Sequence, residues 1–149
     1  MRTDSGLAHR SDLRDVLVTM VMSHPVQAVA ATALFDEALT MLITRRLRHL
    51  AVVEPTGKCV GLLTDRTVAA EWVSHPTAFL DRTVGATCDA VPPLVNQDAT
   101  VATAARVMRH CGTDAVIVVD PHRRPLGVLT SNDVIAILAK PDLSDSRRG

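Results

Sequence analysis

Thr130 and Asp133 stand three residues apart where an apolar run, residues 126–129, gives way to a helical pattern. A hydroxyl and a carboxylate at that spacing can serve two purposes. In one, the threonine oxygen accepts from the backbone N–H three residues on while the acid reaches back, a capping box contributing about 1 kcal/mol with no ligand present. In the other, the acid accepts from the cis-diol of a ribose while the hydroxyl and the free N–H groups of the helix N-terminus face a phosphate. Asn132 lies between the two. The corner recurs sixty-six residues earlier, Val60-Gly61-Leu62-Leu63-Thr64 matching Leu126-Gly127-Val128-Leu129-Thr130, but Thr67 holds the acid's position. Threonine lacks the charge of a strong bidentate acceptor. Arg48 and His49 could meet a phosphate, whereas their counterparts in the second copy are Asp114 and Ala115. If each corner draws on its own copy, Asp114 opposes a phosphate at Thr130 by roughly 1 kcal/mol or more at about 4 Å. If the corners draw on both copies, the pieces recombine.

The elements that must position these groups are a duplication. Shifted by sixty-six residues without a gap, Asp15 falls on Asp81, Val18 on Val84, Val29 on Val95, Ala38 on Ala104, Val52-Val53 on Val118-Val119 and Ala70 on Ala136. Two copies of so long a period point to a paired module rather than a solenoid. In each half a short apolar piece, residues 26–29 or 94–95, precedes a helical pattern. Leu34, Phe35, Ala38, Leu39, Leu42 and Ile43 define one apolar face, and Val101, Ala104, Ala105 and Met108 define the other. Asp98 or Thr100 suits the second helix as N-cap, and Gly112 as its stop. Two apolar runs follow in each half, 50–53 with 60–63 and 116–119 with 126–129. Being apolar on consecutive residues, they predict strands buried on both faces. Closing helices are expected at 65–74 and 131–139. The expected organisation is α/β, β-α-β-β-α twice, with repeats at 12–75 and 76–140, a linker at 75–80 and flexible tails at 1–11 and 141–149, Pro141 stopping the last helix. Halves of this size are too small to stand alone, so their sheets should pack on each other across a pseudo-twofold axis.

Composition narrows the function. Sixteen basic residues balance sixteen acidic ones, and two phenylalanines, one tryptophan and no tyrosine leave few stacking platforms. Neither nucleic acid nor an anionic membrane is an expected partner. The apolar runs are too short for a membrane span and no secretory pattern follows Met1. Cys59, Cys88 and Cys111 are widely spaced, which suits reduced thiols and a cytoplasmic setting. No metal-ligand spacing, glycine-rich phosphate loop or nucleophile with a nearby base is present, so neither a metal site nor catalysis is expected. The bland readings are a solvated helix end for Arg45, Arg46 and Arg48, and a favourable dipole interaction for Asp65. Trp72 reads as a core or dimer-surface anchor.

The duplicated β-α-β-β-α pattern with Gly127-Val128-Leu129-Thr130 and Asp133 after its last strand resembles the cystathionine beta-synthase (CBS) domain family, whose paired repeats form a Bateman module. The likeness runs over residues 13–139 and includes Val18 and Met22, the Ala38-Leu39 step and Arg48-His49-Leu50-Ala51-Val52-Val53. It implies a non-catalytic regulatory module that takes AMP, ADP, ATP or S-adenosylmethionine as a regulatory ligand in a cleft between repeats, with no resident cofactor. It also implies a homodimer and a regulated protein partner. By the same resemblance Thr130, Asn132 and Asp133 would form the ribose and phosphate corner of one cleft, Thr64 the hydroxyl of the other, and Arg48 and His49 the phosphate-side basic pair.

Overall fold

The computed structural model describes residues 12–139. The tails expected at 1–11 and 141–149, and the stop at Pro141, lie outside the described residues. The first half contains β1 (Ala28–Ala30), α1 (Phe35–Thr44), β2 (His49–Val53), β3 (Cys59–Thr64) and α2 (Asp65–Ser74). The second contains β4 (Leu94–Asn96), α3 (Val101–Cys111), β5 (Ala115–Val119), β6 (Pro125–Thr130) and α4 (Ser131–Ala139). Short 3-10 turns at Val18–Met20 and Val84–Thr87 precede the two halves, and a third lies at Phe79–Asp81.

Each half is a three-stranded sheet with its middle strand parallel to the first and antiparallel to the third. The sixty-six-residue shift carries the register of one sheet onto the other: Ala28 faces Ala51 as Leu94 faces Ile117, and His49 faces Thr64 as Ala115 faces Thr130. Even the irregularity between Val52 and Val53 returns between Val118 and Val119. Left-handed residues repeat as well. Gly57 (φ 90°) corresponds to Arg123 (φ 63°), and Gly112 (φ 65°) to Arg46 (φ 52°). The same backbone geometry is held with glycine in one half and arginine in the other, because a turn's tertiary setting can keep an arginine in the left-handed region at a cost of about 1–2 kcal/mol.

The expectation of strands covered on both faces holds for the middle ones: all five residues of β5 are buried, and β2 is buried at its centre. The flanking strands β3 and β6 are only partly covered. Ala51, Cys59, Ile117 and Val119 form the layer where the two sheets meet, joined by Val26, Leu62, Leu94 and Val128. Two further cores lie under the helices. Thr100 is the N-cap of α3, accepting from Thr103 N at 3.2 Å, and Gly112 closes that helix in the left-handed conformation. Ile43, expected on the buried stripe of α1, is 73% exposed. The stripe runs through Phe35 and Ala38, and Ile43 falls about 100° beyond Leu42 on the helical wheel.

The leading segments cross between halves. Val18 is buried with Val95, Val101, Met108 and Leu129 of the second half, whereas Val84 is buried with Val29, Phe35, Leu50 and Leu63 of the first. The hydrogen bonds are exchanged in pairs: Val18 N donates to Ala99 O as Val84 N donates to Ala33 O, and Val101 N to Val16 O as Phe35 N to Arg82 O. The presumed linker is partly core, since Phe79 stacks on Phe35 with ring centroids 5.0 Å apart. Among the described residues no helix is long and apolar enough to cross a membrane, and no group of three or more His, Cys, Asp or Glu side chains could hold a metal ion.

Candidate functional site

Two strand-to-helix corners carry the side chains singled out by spacing. At the second, Thr130 and Asp133 form the reciprocal box. Asp133 Oδ2 accepts from Thr130 N at 2.8 Å and from Thr130 Oγ1 at 3.1 Å, and Asp133 N donates to Thr130 Oγ1 at 3.3 Å. The capping use of these residues is therefore realised, and it engages one carboxylate oxygen only. Among the described residues Oδ1 takes no hydrogen bond. Asn132 is exposed one position earlier.

At the first corner Thr64 is 6% exposed and caps α2 by accepting from Thr67 N at 3.1 Å. The Thr64 and Thr67 hydroxyls lie 3.0 Å apart and share one hydrogen bond. A hydroxyl thus stands at position 67 where the other corner has a carboxylate. What the corner has instead is space: a crevice of about 310 Å³ that Thr64, Arg66 and Thr67 of the first half share with Asp89, Thr113 and Asp114. That volume is at the lower end of small-molecule sites.

The crevice answers the question that sequence left open. Asp114 does not stand alone against its own repeat's motif; it lines the crevice of the opposite corner, Thr64 and Thr67. Under the sixty-six-residue shift Thr64, Thr67, Asp89 and Asp114 become Thr130, Asp133, Ser23 and Arg48. Two observations agree with that mapping. Ser23 pairs with Val128 of β6 through two backbone hydrogen bonds of 2.9 Å, so the leading segment does lie along the Thr130 strand. Gly127 admits it: a Cβ there would come 2.7 Å from the Ser23 carbonyl oxygen and 2.6 Å from Met22 Sδ. The strand leading into the second corner is thus strapped by residues 22 and 23. At the first corner Cys88 packs against Gly61, but among the described residues Asp89 makes no such bridge.

His49 sits where the two corners approach. Burial pushes its imidazole below the ordinary value, while the carboxylates of Asp114, Asp65 and Asp133 oppose the shift and Arg48 adds to it. Acids of both repeats therefore act on one ring. Arg48 Nε lies 4.0 Å from Asp65 Oδ2 with both side chains mostly in solvent, a pair of little energetic weight. Arg45 Nη1 donates to Gln27 Oε1 at 2.6 Å. Sequence reasoning missed Asp89, Arg66 and Ser23. The signal was available only through the duplication, since neither local periodicity nor a motif marks them.

The CBS domain profile matches residues 13–73 and 88–140. The chain is 29% identical over 128 residues to the L-aspartate semialdehyde sulfurtransferase of Methanosarcina acetivorans; the match covers 83% of this chain and 24% of that protein, so the chain spans about a quarter of its length. A conserved CBS domain protein of Thermoplasma acidophilum has the same fold, with a TM-score of 0.74 at 22% identity over 84% of this chain and 70% of that one. A CBS domain pair solved in complex with 5′-methylthioadenosine and S-adenosyl-L-methionine gives a TM-score of 0.69 at 27% identity, over 81% of this chain and 94% of that one.

Proposed function

The chain belongs to the CBS domain family, with one copy of the domain in each half, and from that premise we propose that it is a non-catalytic regulatory module binding an adenosine-containing ligand of the AMP, ADP, ATP or S-adenosylmethionine type between its repeats. The observation that carries this reading is the crevice walled by both halves, Thr64 and Thr67 from one and Asp114 from the other. A ligand bridging two halves has different affinities for their different arrangements, and that difference is the only means by which its occupancy can be passed on. The related domain pair solved with 5′-methylthioadenosine and S-adenosyl-L-methionine supports the ligand class. In this reading Asp133 receives the ribose diol, Thr130, Asn132 and Thr64 face the ligand from the helix N-termini, and Arg48 and His49 stand on the phosphate side.

The repeats, taken as 12–75 and 76–140, signal to a partner protein or to a second copy in a cytoplasmic homodimer. Trp72, 56% exposed, with Val73 and Ile135 also exposed, gives α2 and α4 the apolar surface for such pairing. The catalytic names among its relatives belong to proteins of which this chain covers about a quarter, leaving length for catalytic domains outside the matched part.

Thermal unfolding with adenosine, AMP, ADP, ATP and S-adenosylmethionine tests the proposal. A ligand at a hundred times its dissociation constant should stabilise the fold by about 2.7 kcal/mol. Asp133→Ala should abolish that gain for a ligand held at the second corner. Well-folded protein that responds to none of the five refutes the reading. The second reading, a ligand-free interaction module, is favoured by the closed box between Thr130 and Asp133. It requires Asp133→Ala to lower stability and leave every binding behaviour unchanged.

A further inference from the structure

Resting on the adenosine reading above, we infer that the open crevice at Thr64 selects an uncharged or cationic nucleoside-type ligand and rejects a phosphorylated one. Its wall is acidic. Asp89 and Asp114 both line it, against the single cation Arg66, and the position that carries an acid at the other corner is the neutral Thr67. Asp114 is fixed at the mouth of β5, its carbonyl oxygen accepting from Ser131 N at 2.8 Å. Thr64 and Thr67 offer hydroxyls to a sugar, and Leu62 and Pro93 offer apolar surface to a base. A sugar and base can be accommodated without charge, so the carboxylates decide what the sugar's substituent is allowed to be.

The opposite corner differs in the residues at the same positions. Where the first has Asp89 and Asp114, the shift gives Ser23 and Arg48; where the first has Thr67, it gives Asp133. Two corners with the same backbone register therefore differ in charge: over these positions and Arg66, which the shift turns into Asn132, the first is net negative and the second neutral. A phosphate carries close to two negative charges at neutral pH. At about 6 Å from the Asp114 carboxylate in a water-like medium, that dianion is disfavoured about tenfold relative to the uncharged nucleoside. A sulfonium or ammonium tail is favoured by the same field.

Amide chemical shifts of the full chain, followed by NMR during titration with adenosine, AMP and S-adenosylmethionine, report the two corners separately through Thr64 and Thr130. Adenosine and S-adenosylmethionine should move the Thr64 amide, with AMP doing so about tenfold more weakly, and Asp114→Asn should remove most of that gap. Asp114→Arg should reverse the preference. AMP binding at Thr64 as tightly as adenosine, or a gap that Asp114→Asn leaves intact, overturns this inference while the adenosine reading stands. Silence of both corners towards all three compounds overturns the reading and the inference together.

Discussion

Gly127→Ala is the sharpest test of how the second corner is built. An alanine Cβ at this β6 position would come 2.7 Å from the Ser23 carbonyl oxygen, and 2.6 Å and 3.0 Å from Met22 Sδ and Cγ. Methionine can swing away, but the carbonyl belongs to backbone that exchanges two hydrogen bonds of 2.9 Å with Val128. Displacing the strap loses both bonds, about 1–3 kcal/mol together, and repacking Met22 adds about 1 kcal/mol. We expect a total loss of about 2–4 kcal/mol, measured by urea unfolding with the slope held common between variants. Gly61, the equivalent residue of β3, supplies the control. Its Cβ would strike the Cys88 thiol and approach Cys88 Cβ at 3.2 Å, both side-chain atoms. Cys88→Ala should therefore rescue most of the damage of Gly61→Ala, while Met22→Ala should rescue little of Gly127→Ala, a contrast that two double-mutant cycles resolve. A Gly127→Ala variant within about 0.5 kcal/mol of the parent, the usual range for a surface substitution, refutes the strap, as does full rescue by Met22→Ala.

Two further outcomes follow from the corners. Thr67→Asp should build at Thr64 the reciprocal box that Thr130 already has, raising stability by about 0.5–1 kcal/mol in urea unfolding; an unchanged midpoint would show that the Thr64–Thr67 hydroxyl bond already does as much. His49 should make stability depend on pH. Because burial holds its imidazole below the ordinary value of about 6.5, the unfolded chain takes up the proton first as pH falls. The contribution of neutral His49 is thus present above the ordinary value and lost as pH drops through it. Unfolding measured between about pH 8 and 5 should show this slope, and His49→Gln should flatten it. Asp114→Asn should steepen it, since the Asp114 carboxylate opposes the shift, with Asp65 and Asp133 acting the same way and Arg48 the opposite.

Much of the fold was legible because it is local and written twice. Strand length, consecutive apolar runs, the Gly112 stop and the Thr100 and Thr130 caps depend on a few neighbouring residues, and two copies in one register removed most ambiguity. The capping box at Asp133 could be drawn from a three-residue spacing for the same reason. What sequence did not reveal is which residues of one copy confront the corner of the other. Val18 and Val84 each complete the opposite core, and Asp114, whose carbonyl oxygen accepts from Ser131 N beside its own corner, also lines the crevice at Thr64. Those partnerships arise where two sheets close through Ala51, Cys59, Ile117 and Val119, a non-directional apolar contact that leaves no trace in the spacing of the polar residues it brings together. The chain alone determined two like units and their corners. Their closure decided the charge each corner meets, because an electrostatic field depends on distance through space, and Asp89 and Asp114 stand far from Thr64 in sequence.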